Sequence, residues 1–312
     1  MLPTERMTES SPVDPRSRSG DKDLLRDALR DQADRGRTKS DIVLLSVQRL
    51  LRRGAITNLA KMLGRMHQAD VAKVILHLSS PKEKREVFEL VRGESKRGQV
   101  LSELDSDSIN QVLADLLHSD IAWLIKDLGP DDVAYILGVL PEERATEILS
   151  LMRTEDSTEV ADLLKYPKDT AGGIMTTEFF ALPEEATAQD AIRRLQLATD
   201  AEMVFYIYVT DKDEHLVGVL SLRQLLTVPP TTPLKNIATR DVISVTVDMD
   251  QEEVARQVAS YNLLAIPVID KDNTLVGIIT VDDVVDVIRE EATEDMLKMA
   301  GAIEEDSVSK SS

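Results

Sequence analysis

Two stretches in the second half of the sequence repeat each other. One begins at Asp211 and reads DKDEHLVGVLSLRQLL, and the other begins at Asp270 and reads DKDNTLVGIITVDDVV. Each contains a polar turn, an apolar run through a glycine and a helical pattern. Upstream, TAQDAIRRL from Thr187 matches DQEEVARQV from Asp250, so the repeat extends further back. A strand, helix, strand, turn, strand and helix are therefore predicted twice within residues 173–291.

Residues 21–165 have a different pattern, which is helical in short segments separated by Pro, Gly and Ser. Two pieces of it resemble each other: ADVAKVILHLSSPKEKREVFEL from Ala69 and DDVAYILGVLPEERATEILSLM from Asp131. Each predicts a helix, a proline-marked turn and a second amphipathic helix that the proline opens. Repeated helix pairs of this kind predict a superhelical domain.

The boundary between the two patterns lies in KYPKDTAGGIMTTEFF, which starts at Lys165. Pro167 and the Gly172–Gly173 pair stop the helical periodicity there. The predicted fold class is α and α/β, with a helical superhelix followed by a tandem repeat pair. Its boundaries are 1–20 for a disordered tail, 21–165 for the helical domain, 166–176 for the junction, 177–232 and 233–291 for the repeats, and 292–312 for the acidic helix end and tail.

Charge and motif content exclude several classes of function. The net charge is −19, and residues 241–312 contain 17 Asp and Glu against 5 Lys and Arg. Phosphates would be repelled and only 3% of residues are aromatic, so we expect no nucleic-acid partner. Cysteine is absent, which excludes disulfides and thiolate metal sites. We find no phosphate loop, HExxH or GxSxG motif and no long apolar span, and we expect a soluble chain that is not an enzyme.

The acidic stretch VDDVVDVIREEATED, from Val281, places like charges at i,i+4 on one predicted helix. Ordinary capping explains its start, because Thr280 can be the N-cap with Asp283 at N3. Capping does not explain the acids near its end, where the helix dipole disfavours negative charge. The residues alone leave cation binding and a solvated face equally open. Carboxylate and carbonyl oxygens would favour Mg²⁺ or Ca²⁺.

The repeat pair resembles a pair of CBS domains, on the strength of GIMT at Gly173, the two LVG strands and IPVIDKDNTLVGIITVDDV from Ile266. Together with the helical domain, the junction YPKDTAGGIMTTEF and the run DVIREEATEDMLKMAG from Asp286, the sequence resembles the cytosolic portion of MgtE-type magnesium transporters over residues 21–301. The resemblance implies several Mg²⁺ ions bound between the domains and a homodimer formed through the CBS domains. It also implies a membrane pore domain as partner, on the cytoplasmic side of the cell membrane.

The same resemblance implies a set of metal ligands at matching positions. In the helical domain these are Asp127 and Asp131, for which helix capping beside Pro130 is an equally strong interpretation. The junction offers the Gly172 carbonyl, and the second repeat offers Asp250 and Glu252. The acidic helix contributes the remaining members of the set: Asp283, Asp286, Glu291, Glu294 and Asp295.

ATP is a second ligand that the resemblance implies, with Tyr206 and Arg223 at the matching positions. Leu263 stands where a stacking aromatic residue is expected in the second repeat, which argues against ATP. Our hypothesis is a sensor whose domains separate when Mg²⁺ is scarce and compact when Mg²⁺ bridges them. The alternatives are an adenine-nucleotide sensor and a dimerising scaffold without a metal role. The match ends without a membrane-spanning part, which fits either the cytosolic part of a transporter or a stand-alone relative.

Overall fold

The computed structural model describes residues 39–197, 205–289 and 291–292. The predicted tail at 1–20 lies outside these residues, as do Glu294, Asp295 and the rest of 293–312. The first part of the described chain is helical, as the periodicity of its apolar residues predicts. Its helices are α1 (Lys39–Arg52), α2 (Ile56–Leu63), α3 (Gln68–Leu76), α4 (Pro81–Glu89), α5 (Glu94–Ser102), α6 (Ser106–Leu113), α7 (His118–Ile125), α8 (Pro130–Val139), α9 (Glu142–Ser150) and α10 (Thr154–Leu163).

The two similar sequence pieces form equivalent helix pairs, α3 with α4 and α8 with α9. Pro81 is the first residue of α4, as predicted, whereas Pro141 is the N-cap of α9. Pro130 opens α8, where a missing N–H costs nothing because the first turn has no intrahelical acceptor for it.

Basic side chains join helices that are three apart in the chain, α5 to α2 and α9 to α6, by capping helix ends. The Lys96 ammonium donates to the Leu63 carbonyl at 3.0 Å and to the Met66 carbonyl. The Arg144 guanidinium makes the same kind of contact further along, donating to the Leu113 carbonyl at 2.6 Å and the Leu116 carbonyl at 3.0 Å. Each cation satisfies carbonyls that a helix end leaves without an intrahelical donor.

The two repeats form two three-stranded sheets of identical topology. The first sheet contains β1 (Ala181–Pro183), β2 (Tyr206–Thr210) and β3 (Leu216–Ser221), and the second contains β4 (Val245–Thr246), β5 (Ala265–Ile269) and β6 (Leu275–Thr280). In each sheet the first pair of strands is parallel and the second antiparallel. The register shift falls at Val209/Thr210 in one and at Val268/Ile269 in the other, which are equivalent positions of the two repeats.

Helices complete each repeat. They are α11 (Ala171–Ile174), α12 (Ala188–Leu197), α13 (Leu222–Thr227), α14 (Gln251–Tyr261) and a last helix, α15, at 281–289 and 291–292; a 3₁₀ turn covers Leu234–Asn236. Among the described residues, none of these helices has the length and apolar character needed to span a membrane.

Each repeat pairs with a short backbone segment that lies before the first strand of the other repeat. Thr176, just before the first repeat, pairs with Ile278 of β6, and Thr239 pairs with Val219 of β3. The two LVG glycines make room for these segments. A Cβ on Gly277 would lie 2.9 Å from the Thr176 carbonyl oxygen, and one on Gly218 would lie 2.9 Å from the Ala238 Cβ. The repeats are thus held together by these reciprocal backbone pairings as well as by packing.

The junction joins the helical domain to the second repeat rather than to the first. The Ala171 N–H donates to the Met249 carbonyl at 2.7 Å, and the Gly172 N–H donates to the Val247 carbonyl at 2.9 Å. Gly172 also lies against the ring of Tyr166, where a Cβ would come within 2.6 Å of ring carbons. One continuous core accordingly includes residues of the helical domain, the junction and the second repeat.

Candidate metal centre

Two first-turn carboxylates from different domains lie close enough for the charge of one to act on the other. Asp131 lies in the first turn of α8, and its carboxylate is turned back over the helix start, 2.7 Å from where a Cβ on Gly129 would be. Asp283 lies in the first turn of α15. After burial, the Asp131 charge is the next cause that raises the pKa of Asp283, and it acts from across the domain boundary. The structure therefore brings together two predicted ligands that are far apart in the chain.

Asp283 has a local role as well as a position at this boundary. Its Oδ2 accepts hydrogen bonds from the Thr280 N–H at 3.2 Å and from the Thr280 hydroxyl, as the capping interpretation predicts. Burial, together with the charges of Asp131 and Asp282, raises the pKa of Asp283 to about 7, although the hydrogen bonds from Thr280 oppose the shift. The charges that act on this half-buried carboxyl from neighbouring residues are thus negative.

A second pair of carboxylates meets where α14 begins and the described part of α15 ends. Glu252, in the first turn of α14, shares a hydrogen bond with Glu291, and this bond and the Glu291 charge raise the pKa of Glu252 above its usual range. Asp250 is the N-cap of α14 and accepts from the Glu252 N–H at 2.9 Å. The Gln251 amide donates to Glu291 Oε1 at 2.7 Å.

The donor atoms of both pairs suit a hard divalent cation. They are carboxylate oxygens, which Mg²⁺ and Ca²⁺ prefer, and neither pair includes sulfur or imidazole. We name the Asp131–Asp283 pair the interdomain pair and the Glu252–Glu291 pair the α14 pair.

Three other predicted ligands have different surroundings. Asp127 is exposed and forms an ion pair with Lys126 at 2.7 Å. Asp286 is exposed and pairs with Arg289 at 3.0 Å. Gly172 packs against the ring of Tyr166, and its N–H donates to the Val247 carbonyl, as described above. Their assignment as ligands stays a prediction, and Glu294 and Asp295 lie outside the described residues.

The two residues that are predicted to bind a nucleotide lie on neighbouring elements, Tyr206 on β2 and Arg223 on α13. Tyr206 begins β2 and pairs with Ser221, which caps the helix that carries the exposed Arg223. Tyr206 is partly buried against the core between the two sheets. In the second repeat Ala265 takes the position equivalent to Tyr206, and Leu263, two residues before β5, packs against the main core.

Sequence reasoning missed two features. The imidazole of His215 and the carboxylates of Asp211 and Asp213 have ligand atoms within 4.8 Å of one another, and the His215 Nδ1 lies 2.9 Å from the Asp211 carboxylate. The i, i+2, i+4 spacing in DKDEH was the available signal. Gln251 was also missed, and no local pattern marks it, because its partner lies 40 residues further along.

Family models match two parts of the chain. A model described as the MgtE intracellular N domain matches residues 66–169, and a CBS-domain model matches residues 171–231 and 234–290. A curated relative from Thermus thermophilus, named magnesium transporter MgtE, is 48% identical over 141 residues, which are 45% of this chain and 31% of the relative. The chain thus spans about a third of the length of the curated relatives that it matches.

Solved structures resemble most of the chain. One, described as the cytosolic domain of the Mg²⁺ channel MgtE in complex with ATP, has a TM-score of 0.69 and 35% identity, and the match covers 78% of this chain and 99% of that one. Another, described as the soluble part of a magnesium transporter, has a TM-score of 0.65 and 31% identity, with 81% and 100% covered.

The shifted carboxyl of Asp283 predicts a pH dependence of stability without metal. An unfolded Asp releases its proton near pH 4, whereas the native group holds it to about pH 7. The native state therefore binds more protons between these values, and the free energy of unfolding should fall as pH rises through this window. Because the group is partly solvated, we expect the free energy of unfolding of the wild-type protein to fall by only about 2 kcal/mol across this window. Asp283→Asn should abolish this decrease.

Urea denaturation in EDTA at pH 5 and pH 8 measures this effect. Asp283→Asn should exceed the wild-type protein in stability at pH 8 and not at pH 5. Asp282→Asn, a change at the exposed neighbour whose charge contributes less to the raised pKa than burial and Asp131 do, is the matched control and should reduce the pH dependence much less. An equal effect of the two substitutions would contradict the assignment.

Proposed function

The chain belongs to the MgtE family of magnesium transporters, with the N domain and the CBS pair of that family, and we propose that it senses Mg²⁺ and regulates magnesium transport. The family and fold class expected from the sequence are confirmed by the family models and the solved structures. The ions, the pore partner and the mechanism are our proposal. The observation that supports it most is the interdomain pair, in which the charge of an acid in one domain acts on an acid in the other.

The physical basis of the mechanism is repulsion between carboxylates. Asp131 belongs to the helical domain and Asp283 to the CBS pair, so a cation bound between them favours the arrangement in which the domains touch. Mg²⁺ keeps several of its waters and can bridge two carboxylates without a cage of protein ligands. Without the ion, the same charges favour separation of the domains.

The energy that such a switch needs is modest. Moving a two-state equilibrium from 1:99 to 99:1 requires about 5.5 kcal/mol of differential binding. Several weak sites that act together, such as the interdomain pair and the α14 pair, could supply it. The compact state would then close a pore on the cytoplasmic side of the membrane, which makes this region the sensor and the pore the responding partner.

A homodimer fits an apolar surface of the CBS pair. Leu226 of α13 and Val285 of α15 are 63% and 40% exposed and occupy equivalent positions in the two repeats. Phe205 and Leu264 are likewise equivalent and exposed, and each accepts a backbone hydrogen bond from the first residue of the neighbouring helix. A surface with this internal two-fold pattern suits a self-complementary contact with a second copy. We call it the dimer face.

ATP is the second candidate ligand, supported by a relative that was solved in complex with ATP. Tyr206 and Arg223 lie near each other, as a nucleotide site would require. Leu263 in the second repeat offers no stacking surface there. An adenine-nucleotide sensor therefore stays as the alternative, and it predicts compaction with ATP in the absence of Mg²⁺.

The interdomain pair can be tested by small-angle scattering of the chain with and without about 10 mM Mg²⁺, a concentration that saturates weak sites. The radius of gyration should fall with Mg²⁺ and not with KCl of matched ionic strength. Asp131→Asn should reduce the decrease by at least about half, because it removes one of the bridging carboxylates. Asp127→Asn is the matched control, since that carboxylate pairs with Lys126 in its own turn. Equal effects of the two variants, or compaction by ATP alone, would contradict the proposal.

The dimer face makes a separate prediction for sedimentation velocity. Leu226→Asp places a charge in the proposed contact and should raise the dimer dissociation constant at least about tenfold, or about 1.4 kcal/mol. Leu151→Asp changes a leucine of the helical domain that is 55% exposed and should leave association unchanged. Association that is insensitive to Leu226→Asp would place the interface elsewhere.

A further inference from the structure

The first two described helices of the helical domain lie in a stretch of sequence without acids. Residues 42–69 contain five Lys and Arg and no Asp or Glu, although 56 of the 312 residues of the chain are acids. This stretch covers most of α1, the turn that follows it, and all of α2. A basic segment therefore stands within a protein whose net charge is −19.

Helix electrostatics do not explain why the acids are missing. An acid in the first turn of a helix gains from the positive end of the helix dipole. Every helix from α3 to α10 has at least one acid there. The first turn of α2 has none. The dipole does favour Arg49 and Arg52 at the end of α1, but it gives no reason to exclude acids from α2.

One face of α1 combines cations with exposed apolar side chains. Ile42 and Leu45 are 52% and 37% exposed, while the opposite face of the helix packs against the main core. Arg49 and Arg52 are exposed too, and the four residues follow one another at i, i+3, i+7 and i+10. This spacing places them on one stripe along the helix.

The cations of this region have no carboxylate partner within the described part of the chain. The five are exposed, and none of them takes part in an ion pair there: Arg49, Arg52, Arg53, Lys61 and Arg65. Their charge is therefore available to an anionic partner. We call these five cations, together with Ile42 and Leu45, the α1–α2 surface.

The turn between the two helices has a fixed geometry. The Ala55 N–H donates to the Leu50 carbonyl at 3.0 Å, and the Gly54 N–H donates to the Leu51 carbonyl at 2.9 Å. Gly54 has a φ of 62°, so the two hydrogen bonds and the left-handed residue form a Schellman motif. The motif sets the direction in which α2 leaves α1, and the cations on both sides of the turn keep one arrangement.

We propose that the α1–α2 surface docks on an anionic membrane surface, where its cations bind lipid phosphates and its apolar side chains enter the headgroup region. Exposed apolar residues next to basic ones are typical of helices that lie on membranes. A soluble polyanion would use the cations only. The proposal goes beyond the proposed function and does not depend on it, because no Mg²⁺ site takes part.

The acidity of the rest of the chain does not prevent such a contact. At an ionic strength of about 0.1 M, charges in water are screened beyond about 10 Å. A membrane that touches α1 and α2 therefore responds mainly to the charges of this surface. The acids of the CBS pair act only over the same short range.

Cosedimentation of the full chain with lipid vesicles tests the proposal. The vesicles are phosphatidylcholine alone or an equal mixture with phosphatidylglycerol, in EDTA so that Mg²⁺ does not screen the lipids. We expect the chain to partition into the mixed vesicles at least about tenfold more strongly, because each Lys or Arg near an anionic surface strengthens binding about fivefold. Equal partition into the two kinds of vesicle, or none, would overturn the proposal.

Two arginine pairs give a matched comparison. Arg52→Gln with Arg53→Gln should weaken partition into the mixed vesicles at least about tenfold. Arg193→Gln with Arg194→Gln removes the same charge from an equally adjacent, exposed pair on α12 and should leave partition unchanged. Equal losses in the two variants would show a general charge effect and overturn the proposal. Urea unfolding in EDTA shows that each variant is folded.

The apolar contact separates a membrane from other acidic partners. Ile42→Ser keeps the charge and should weaken partition at least about threefold, and Leu45→Ser repeats the test one turn further along α1. Unchanged partition in both variants would overturn the choice of a membrane. Tighter binding to single-stranded RNA than to the mixed vesicles at the same salt would also overturn it and assign the surface to a nucleic acid.

Discussion

Backbone hydrogen bonds between the junction and the second repeat fix the arrangement of the helical domain and the CBS pair on which the interdomain pair depends. Residues 169–172 run beside residues 247–251, with three N–H to carbonyl contacts of 2.7–3.0 Å. Buried backbone groups need partners, so this short pairing is costly to break. It places the helical domain beside α14 and α15 rather than beside the first repeat. The interdomain pair follows from that placement, whereas the α14 pair forms within the second repeat.

Each acid of these pairs is stabilised by the dipole of its own helix or of a neighbouring helix. The same acid is destabilised by repulsion from the other acid of its pair. Asp131 and Asp283 both lie in first turns, where a negative charge gains from the helix dipole. Their mutual repulsion arises only when the domains come together. A negative charge at these positions therefore stabilises each helix but opposes contact between the domains, and the proposed divalent cation would offset that repulsion.

Much of the fold could be predicted because it follows from local sequence patterns. The internal sequence repeat predicts two equivalent sheets, and even the register shifts recur at equivalent positions of the two repeats. Thr280 and Asp283 make the predicted cap because both partners lie within one turn. Asp131 and Asp283 were both candidates in the sequence, but their pairing arises from the junction. Gln251 and His215 could not be assigned, because their roles depend on folded neighbours that no local pattern specifies.

Interdomain distance as a function of Mg²⁺ tests the central claim most directly. Because the chain has no cysteine, Lys61→Cys in the helical domain and Lys212→Cys in the first repeat give two unique sites for spin labels. Pulsed electron spin resonance on labelled chains diluted with unlabelled ones then reports the distance within one protomer. The account predicts a broad distribution in EDTA that narrows and shortens with Mg²⁺, and a loss of that change in Asp131→Asn with Asp283→Asn. A distribution that Mg²⁺ leaves unchanged in the wild-type sequence would contradict it.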